Sequence, residues 1–186
     1  EAKRQGRATH RCYDPLFSQR ALAALELETQ LTEAIAQQQF VLHYQPQVRA
    51  ADGQLVGCEA LIRWRHPTRG LVEPDLFIPL AEQQRLIVPI GEWVLREATR
   101  AARRWRDAGR ELPVSINLSL LQLRDPRFAE HMKAALDDAG VVGDQPVADA
   151  LSQCDRELEA HATVGIEVDH EADGVAVEVR GVAGRP

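Results

Sequence analysis

The stretch CEALIRWRHP, residues 58–67, decides the fold. Ala60, Ile62 and Trp64 alternate with Glu59, Leu61, Arg63 and Arg65, the period-two pattern of a β-strand with one face turned to an apolar core. The residues of the other face are the unusual ones, because a strand carries a carboxylate and two guanidiniums there only where solvent, a partner or a metal takes them up. Working outward, QLVGCEALIRW (54–64) pairs naturally with FVLHYQPQV (40–48) across the turn AADG (50–53), so residues 40–64 predict a hairpin. Pro46 disturbs the first strand near its end.

Helical patterns flank this hairpin. Ser18 is an N-cap for a helix running to about Gln39, with Ala24, Leu27, Leu31, Ala34 and Ile35 on one face. PDLFIPLAEQQ (74–84) opens with proline at a good helix-entry position. IGEWVLREATRAARRWRDAG (90–109) carries the strongest periodicity, with Ile90, Trp93, Val94, Ala98, Ala101, Ala102 and Trp105 on its apolar side and Gly109 as terminator. LPVSINLS (112–119) predicts a strand, and Asp125-Pro126 opens a last helix through Phe128, Met132, Ala135 and Leu136 to Gly140. This succession predicts an α/β fold with βα crossovers and a parallel sheet.

Composition narrows the class. With 45% hydrophobic and 27% charged residues the chain is ordinary for a globular protein, and its apolar runs are too short to span a bilayer. It begins at Glu1 and its only methionine is Met132, which leads us to expect a piece of a longer chain. Three cysteines without a CxxC pair argue against a disulfide framework and for a reducing, cytoplasmic setting. The six histidines lack the spacing of a zinc site. Residues 1–139 hold 19 Lys and Arg against 18 Asp and Glu, whereas 140–186 hold 3 against 10, so the acidity belongs to the tail. From 141 onward there are no aromatics and two leucines, a composition that predicts weak order. The basic residues of 90–109 alternate with Glu92, Glu97 and Asp107, which points to a solvated face and away from a nucleic-acid polymer.

Candidate site residues lie on the strands. Mg²⁺ prefers carboxylate, amide oxygen and water, and Glu59 and Asn117 offer the first two from strands that are neighbours if the fold is of the βα kind. Spacing alone equally allows a solvent-face glutamate and a strand-end amide, and it favours those simpler roles. Arg63 has the planar fork that suits a phosphate, and Gln45 could bond a base edge; either also fits a solvated strand residue. Cys58 reads as a small buried hydrophobe.

Four motifs in order, HYQPQV, CEALIRWRHP, PDLFIPLAEQQRLIVPIGEWVL and LPVSINLS, resemble the EAL family of cyclic di-GMP phosphodiesterases over about Ala24 to Gly140. Residues 1–17 are similar to the last strand and exit of a GGDEF domain, which gives three expected regions: 1–17 as its end and connector, 18–140 as the N-terminal half of the EAL domain, and 141–186 as a non-matching tail. The resemblance implies a TIM-like (β/α) barrel that hydrolyses cyclic di-GMP to the linear dinucleotide with two Mg²⁺ or Mn²⁺ ions. It makes Glu59 and Asn117 metal ligands, Arg63 a phosphate contact, Leu61 part of the substrate lining and Gln45 a nucleotide contact. Beyond residue 140 the family's LEITE-like glutamate, DDFGTGYS-like aspartates, lysine and later Glu and Gln residues are not recognisable, and Arg85 stands where the family usually has glycine. The expectation is therefore a partial barrel with no complete catalytic set, inactive in hydrolysis, or alternatively a degenerate cyclic di-GMP-binding or interaction module. Weak dinucleotide binding, no membrane contact and self-association through an unpaired edge of the 113–118 strand complete these expectations.

Overall fold

A computed structural model describes residues 15–110 and 112–140, together with the backbone of 161–168 and 175–182. Its elements run α1 (Pro15–Ala36), β1 (Phe40–Val48), β2 (Leu55–His66), β3 (Gly70–Val72), α2 (Pro74–Gln83), α3 (Ile87–Asp107), β4 (Val114–Ser119), α4 (Leu120–Leu123), α5 (Phe128–Asp138), β5 (His161–Val168) and β6 (Val175–Val182). The sheet has the order β1-β2-β4-β5-β6, with β3 also on β2. This is the α/β architecture of a partial (β/α) barrel.

The expected hairpin is present, β1 lying antiparallel to β2 with Gln45 opposite Glu59 and Phe40 opposite Trp64. Two expectations are corrected. The sheet is mixed: among the described strands only β2–β4 is parallel, and β4–β5 and β5–β6 are antiparallel. The 113–118 strand is not an edge of the sheet, because β4 lies between β2, paired over Val114 to Ile116, and β5, paired from Val114 to Ser119. The aromatic residues of the core pack on one another: Trp64 and Phe77 are fully buried, and Phe40 packs against Trp64, Phe77 and Trp93 at ring separations of 6.3, 5.9 and 5.8 Å. Of the 141–186 tail, for which weak order is expected, residues 141–160, 169–174 and 183–186 lie outside the described residues.

The core forms because β2 and β4 each turn an apolar face to the helices. Cys58, Ala60, Trp64, Val114, Ile116 and Leu118 are buried and meet the apolar stripe of α3, where Ile90, Val94, Leu95, Ala98 and Ala102 are buried too. Each such large side chain contributes about 1.5–3 kcal/mol relative to exposure. Tyr44 stacks edge-on against Trp105 at 4.9 Å, and burial pushes its phenol up to about 12. Arg103 from α3 donates to the carbonyls of Ala139 (3.2 Å) and Gly140 (2.8 Å), closing the C-terminus of α5.

Helix α1 begins at Pro15, ahead of the expected cap Ser18, and α3 at Ile87, ahead of the expected Ile90; two further boundaries differ for local reasons. Helix α1 stops at Ala36 because Gln38 takes a left-handed backbone at φ 53. Asp125 is not the N-cap of α5. Its carboxylate accepts from Arg127 N at 2.9 Å one turn earlier, and Arg127 occupies the cap position without a side-chain bond. Between β4 and α5 the chain makes α4, closed by a capping box in which the Ser119 side chain accepts from Leu121 N and Gln122 Oε1 accepts from Ser119 N. Among the described residues no helix is long and apolar enough to cross a membrane.

Candidate functional site

The sheet face turned away from the helices carries the chemistry. On β2 the residues of this face are Glu59, Leu61 and Arg63, all partly exposed, between the buried Cys58, Ala60 and Trp64. On β1, Gln45 stands opposite Glu59, His43 opposite Leu61 and Val41 opposite Arg63. On β4, Ser115 is the register partner of Glu59, and Asn117 lies on the same face one alternation further. All five residues singled out in the sequence, Gln45, Glu59, Leu61, Arg63 and Asn117, therefore share one face of three adjacent strands.

Glu59 and Asn117 touch, Asn117 Nδ2 donating to Glu59 Oε1 at 2.6 Å. The contact joins residues 58 positions apart, and parallel pairing of β2 with β4 is what brings them together. Arg63 is held at the far end of the face: its Nε meets Glu73 Oε2 at 2.9 Å, and its Nη1 donates to the Ile62 carbonyl at 2.9 Å. Its side chain is 17% exposed, that of Glu73 59%. Glu73 was not expected at this face, nor were His43 and Ser115. The last two follow from strand alternation once Gln45 and Asn117 are placed, whereas the reach of Glu73 from the start of α2 has no local sequence signal.

The donor chemistry tests which cation the face could take. One carboxylate and one amide, completed by water, suit a single hard cation, since Mg²⁺ is commonly held by one or two carboxylates and keeps several waters. Two ions need further carboxylates between them. Among the described residues no group of three His, Cys, Asp or Glu side chains is placed to hold a metal ion, so these residues do not fit a two-ion centre. Cys58 points to the core, where burial raises its thiol to about 11, and it contributes nothing to this face.

Comparison with known proteins identifies the family. The EAL domain family matches residues 28–164. Among curated relatives, the bifunctional diguanylate cyclase/cyclic di-GMP phosphodiesterase MucR of Pseudomonas aeruginosa is 43% identical over 136 residues, covering 73% of this chain and 20% of that protein. The cyclic di-GMP phosphodiesterase PdeR of Escherichia coli is 39% identical over 137 residues, covering 74% of this chain and 21% of its own length. The chain thus spans about a fifth of the length of these relatives. Among solved structures, the PaMucR phosphodiesterase in complex with c-di-GMP aligns with a TM-score of 0.60 at 40% identity, over 68% of this chain and 56% of the other. The EAL enzyme Bd1971 with cAMP and cyclic-di-GMP bound aligns with a TM-score of 0.63 at 29% identity, over 74% of this chain and 43% of the other. The chain belongs to the EAL domain family.

Proposed function

We propose that this chain is a half-site for cyclic di-GMP: it recognises the dinucleotide on the β1–β2–β4 face and, on its own, does not hydrolyse it. The contact of Glu59 with Asn117 at 2.6 Å, on the face that also carries Gln45, Leu61 and Arg63, supports this reading most directly. In it, Arg63 receives a phosphate, Leu61 lies under the ligand, and Gln45 bonds a base edge. Glu59 and the Asn117 amide oxygen hold one Mg²⁺ or Mn²⁺. Such an ion, when bound, supplies Lewis acidity and makes coordinated water more acidic. The residues themselves orient and neutralise the ligand. Asn117 must turn its amide oxygen towards the cation, giving up its hydrogen bond to Glu59. Beside Glu59 the described residues offer no further carboxylate to bind a second ion or accept a proton from water, and this supports binding without turnover.

Calorimetric titration with cyclic di-GMP in Mg²⁺ tests the first half of the reading, and a turnover assay with Mg²⁺ or Mn²⁺ tests the second. Saturable binding that weakens at least tenfold in Arg63→Ala is expected, as loss of a charge-assisted hydrogen-bond pair implies. No linear product is expected. Absence of binding at millimolar dinucleotide would overturn recognition, and turnover that disappears in Glu59→Ala would overturn incompetence.

A further inference from the structure

Arg63 meets one anion, Glu73, on an edge of its guanidinium that a phosphate would also use. Glu73 is the residue immediately before α2, with an extended backbone (φ −75, ψ 150), and its side chain makes no capping bond to that helix. It reaches across to β2 instead and takes Arg63 Nε at 2.9 Å. Nη1 is turned to the Ile62 carbonyl at 2.9 Å. A phosphate bound in the side-on bidentate fork of arginine needs two adjacent N–H groups, those of Nε and Nη2. Glu73 already occupies one of them.

We propose that Glu73 is a built-in competitor for the phosphate edge of Arg63, setting how tightly this face takes a cyclic dinucleotide. The inference rests on the reading of Arg63 as the phosphate contact. The asymmetry of the ion pair makes the competition workable. Arg63 is largely buried and its charge poorly hydrated, so it gains from any anion. Glu73 is 59% exposed and returns to water at little cost, as exposed partners in such pairs do. The carboxylate thereby keeps the guanidinium aimed along the sheet while the site is empty and yields to a phosphate that engages both nitrogens. Where it does not leave, its charge repels the phosphate and the side-on fork is lost, leaving only end-on N–H groups of Nη1 and Nη2.

The test is calorimetric titration of cyclic di-GMP into the full chain and into Glu73→Gln, Arg63→Ala and the double variant. Glutamine keeps the size and removes the charge, and at an exposed position before the helix it leaves the fold intact. Binding about two- to fivefold tighter in Glu73→Gln, the scale of an exposed ion pair, is expected, and the gain should vanish in the Arg63→Ala background. Equal or weaker binding in Glu73→Gln, with Arg63→Ala still impaired, would overturn the competitor while leaving dinucleotide recognition standing. A gain that persists without Arg63 would also overturn it, since Glu73 would then act on the ligand by charge alone. If none of the four chains binds, recognition fails and the competitor fails with it.

Discussion

The two faces of strand β2 obey opposite rules although they alternate residue by residue. Cys58, Ala60, Trp64 and His66 are all less than 5% exposed, and what they do is pack. Glu59, Leu61 and Arg63 remain partly open, and their charged members each meet a specific side chain, Asn117 and Glu73. The packed face derives its energy from volume and area, which add over many neighbours. The open face depends on a few directed contacts, each contributing little to stability. Substitutions should therefore divide cleanly: stability lost on one face, binding lost on the other.

The largest effect is expected at Trp64. It is fully buried, contacts Phe40, Phe77 and His66, and its indole Nε1 donates to Gln39 Oε1 at 3.0 Å. Trp64→Ala should cost about 3–5 kcal/mol, enough to unfold a marginal domain. Glu59→Ala, five positions away on the other face, should stay within about 1 kcal/mol of the parent while removing metal-dependent binding. Urea midpoints for both variants check the contrast, and a Glu59→Ala loss comparable to that of Trp64→Ala would show that the open face is structural after all.

A smaller effect should appear with pH, at the one histidine on the packed face. His66 Nδ1 accepts from Thr68 N and Arg69 N, both at 3.2 Å, so the ring holds the β2–β3 turn together as a neutral acceptor. Nε2 then carries the proton and donates to Gln30 Oε1 at 3.0 Å, tying α1 to the sheet. Burial, with Arg69 adding to it, holds its pKa below the ordinary 6.5. A depressed histidine means that the unfolded chain takes up the proton first as pH falls. Its contribution should thus be complete above about pH 6.5 and decline below it, because a proton on Nδ1 faces two N–H donors and forfeits hydrogen bonds of about 0.5–1.5 kcal/mol each. Thermal midpoints between pH 7.5 and 5 should fall, and His66→Asn should flatten that slope. An unchanged slope in the variant would assign the acid sensitivity to other groups.

How much of this was legible depended on whether the signal was local. Alternation in CEALIRWRHP separates the two faces of β2, and the stripe from Ile90 to Trp105 gives α3, since both are short-range periodicities amplified by burial. The joint placement of Glu59 and Asn117 follows from family motifs and is realised through β2–β4 pairing. The antiparallel β4–β5 pairing was not legible, because its partners are more than forty residues apart and β5 mixes Val with Glu and Gly. Helix α4 spans only four residues, too few for a period, yet the S-x-x-Q of its capping box, Ser119 to Gln122, was a readable cue that periodicity alone passed over. The Arg63–Glu73 pair is a tertiary contact between two exposed-type residues, and nothing in the composition around either marks it.

The smallest effect lies outside both faces, where α2 gives way to α3. Arg85 follows α2 with φ 59, a left-handed backbone that most L-residues avoid at a cost of about 1–2 kcal/mol. The family resemblance puts a glycine at this position, and the dihedral supplies the physical reason: the tight passage from Gln84, whose N–H bonds the Leu80 carbonyl, into α3 needs a residue without a Cβ penalty. Arg85→Gly relieves the strain but also gives the unfolded chain more freedom, which offsets roughly 0.5–1 kcal/mol of the gain. A net stabilisation of about 0.5–1 kcal/mol should remain, with dinucleotide affinity unchanged because the residue is exposed and distant in sequence from every group on the open face. Chemical denaturation of the Arg85→Gly variant beside the parent resolves a difference of this size. A destabilised variant would mean that the arginine side chain makes a contribution larger than its backbone strain, and a shift in affinity would tie the α2–α3 passage to the positioning of Glu73 and hence to Arg63.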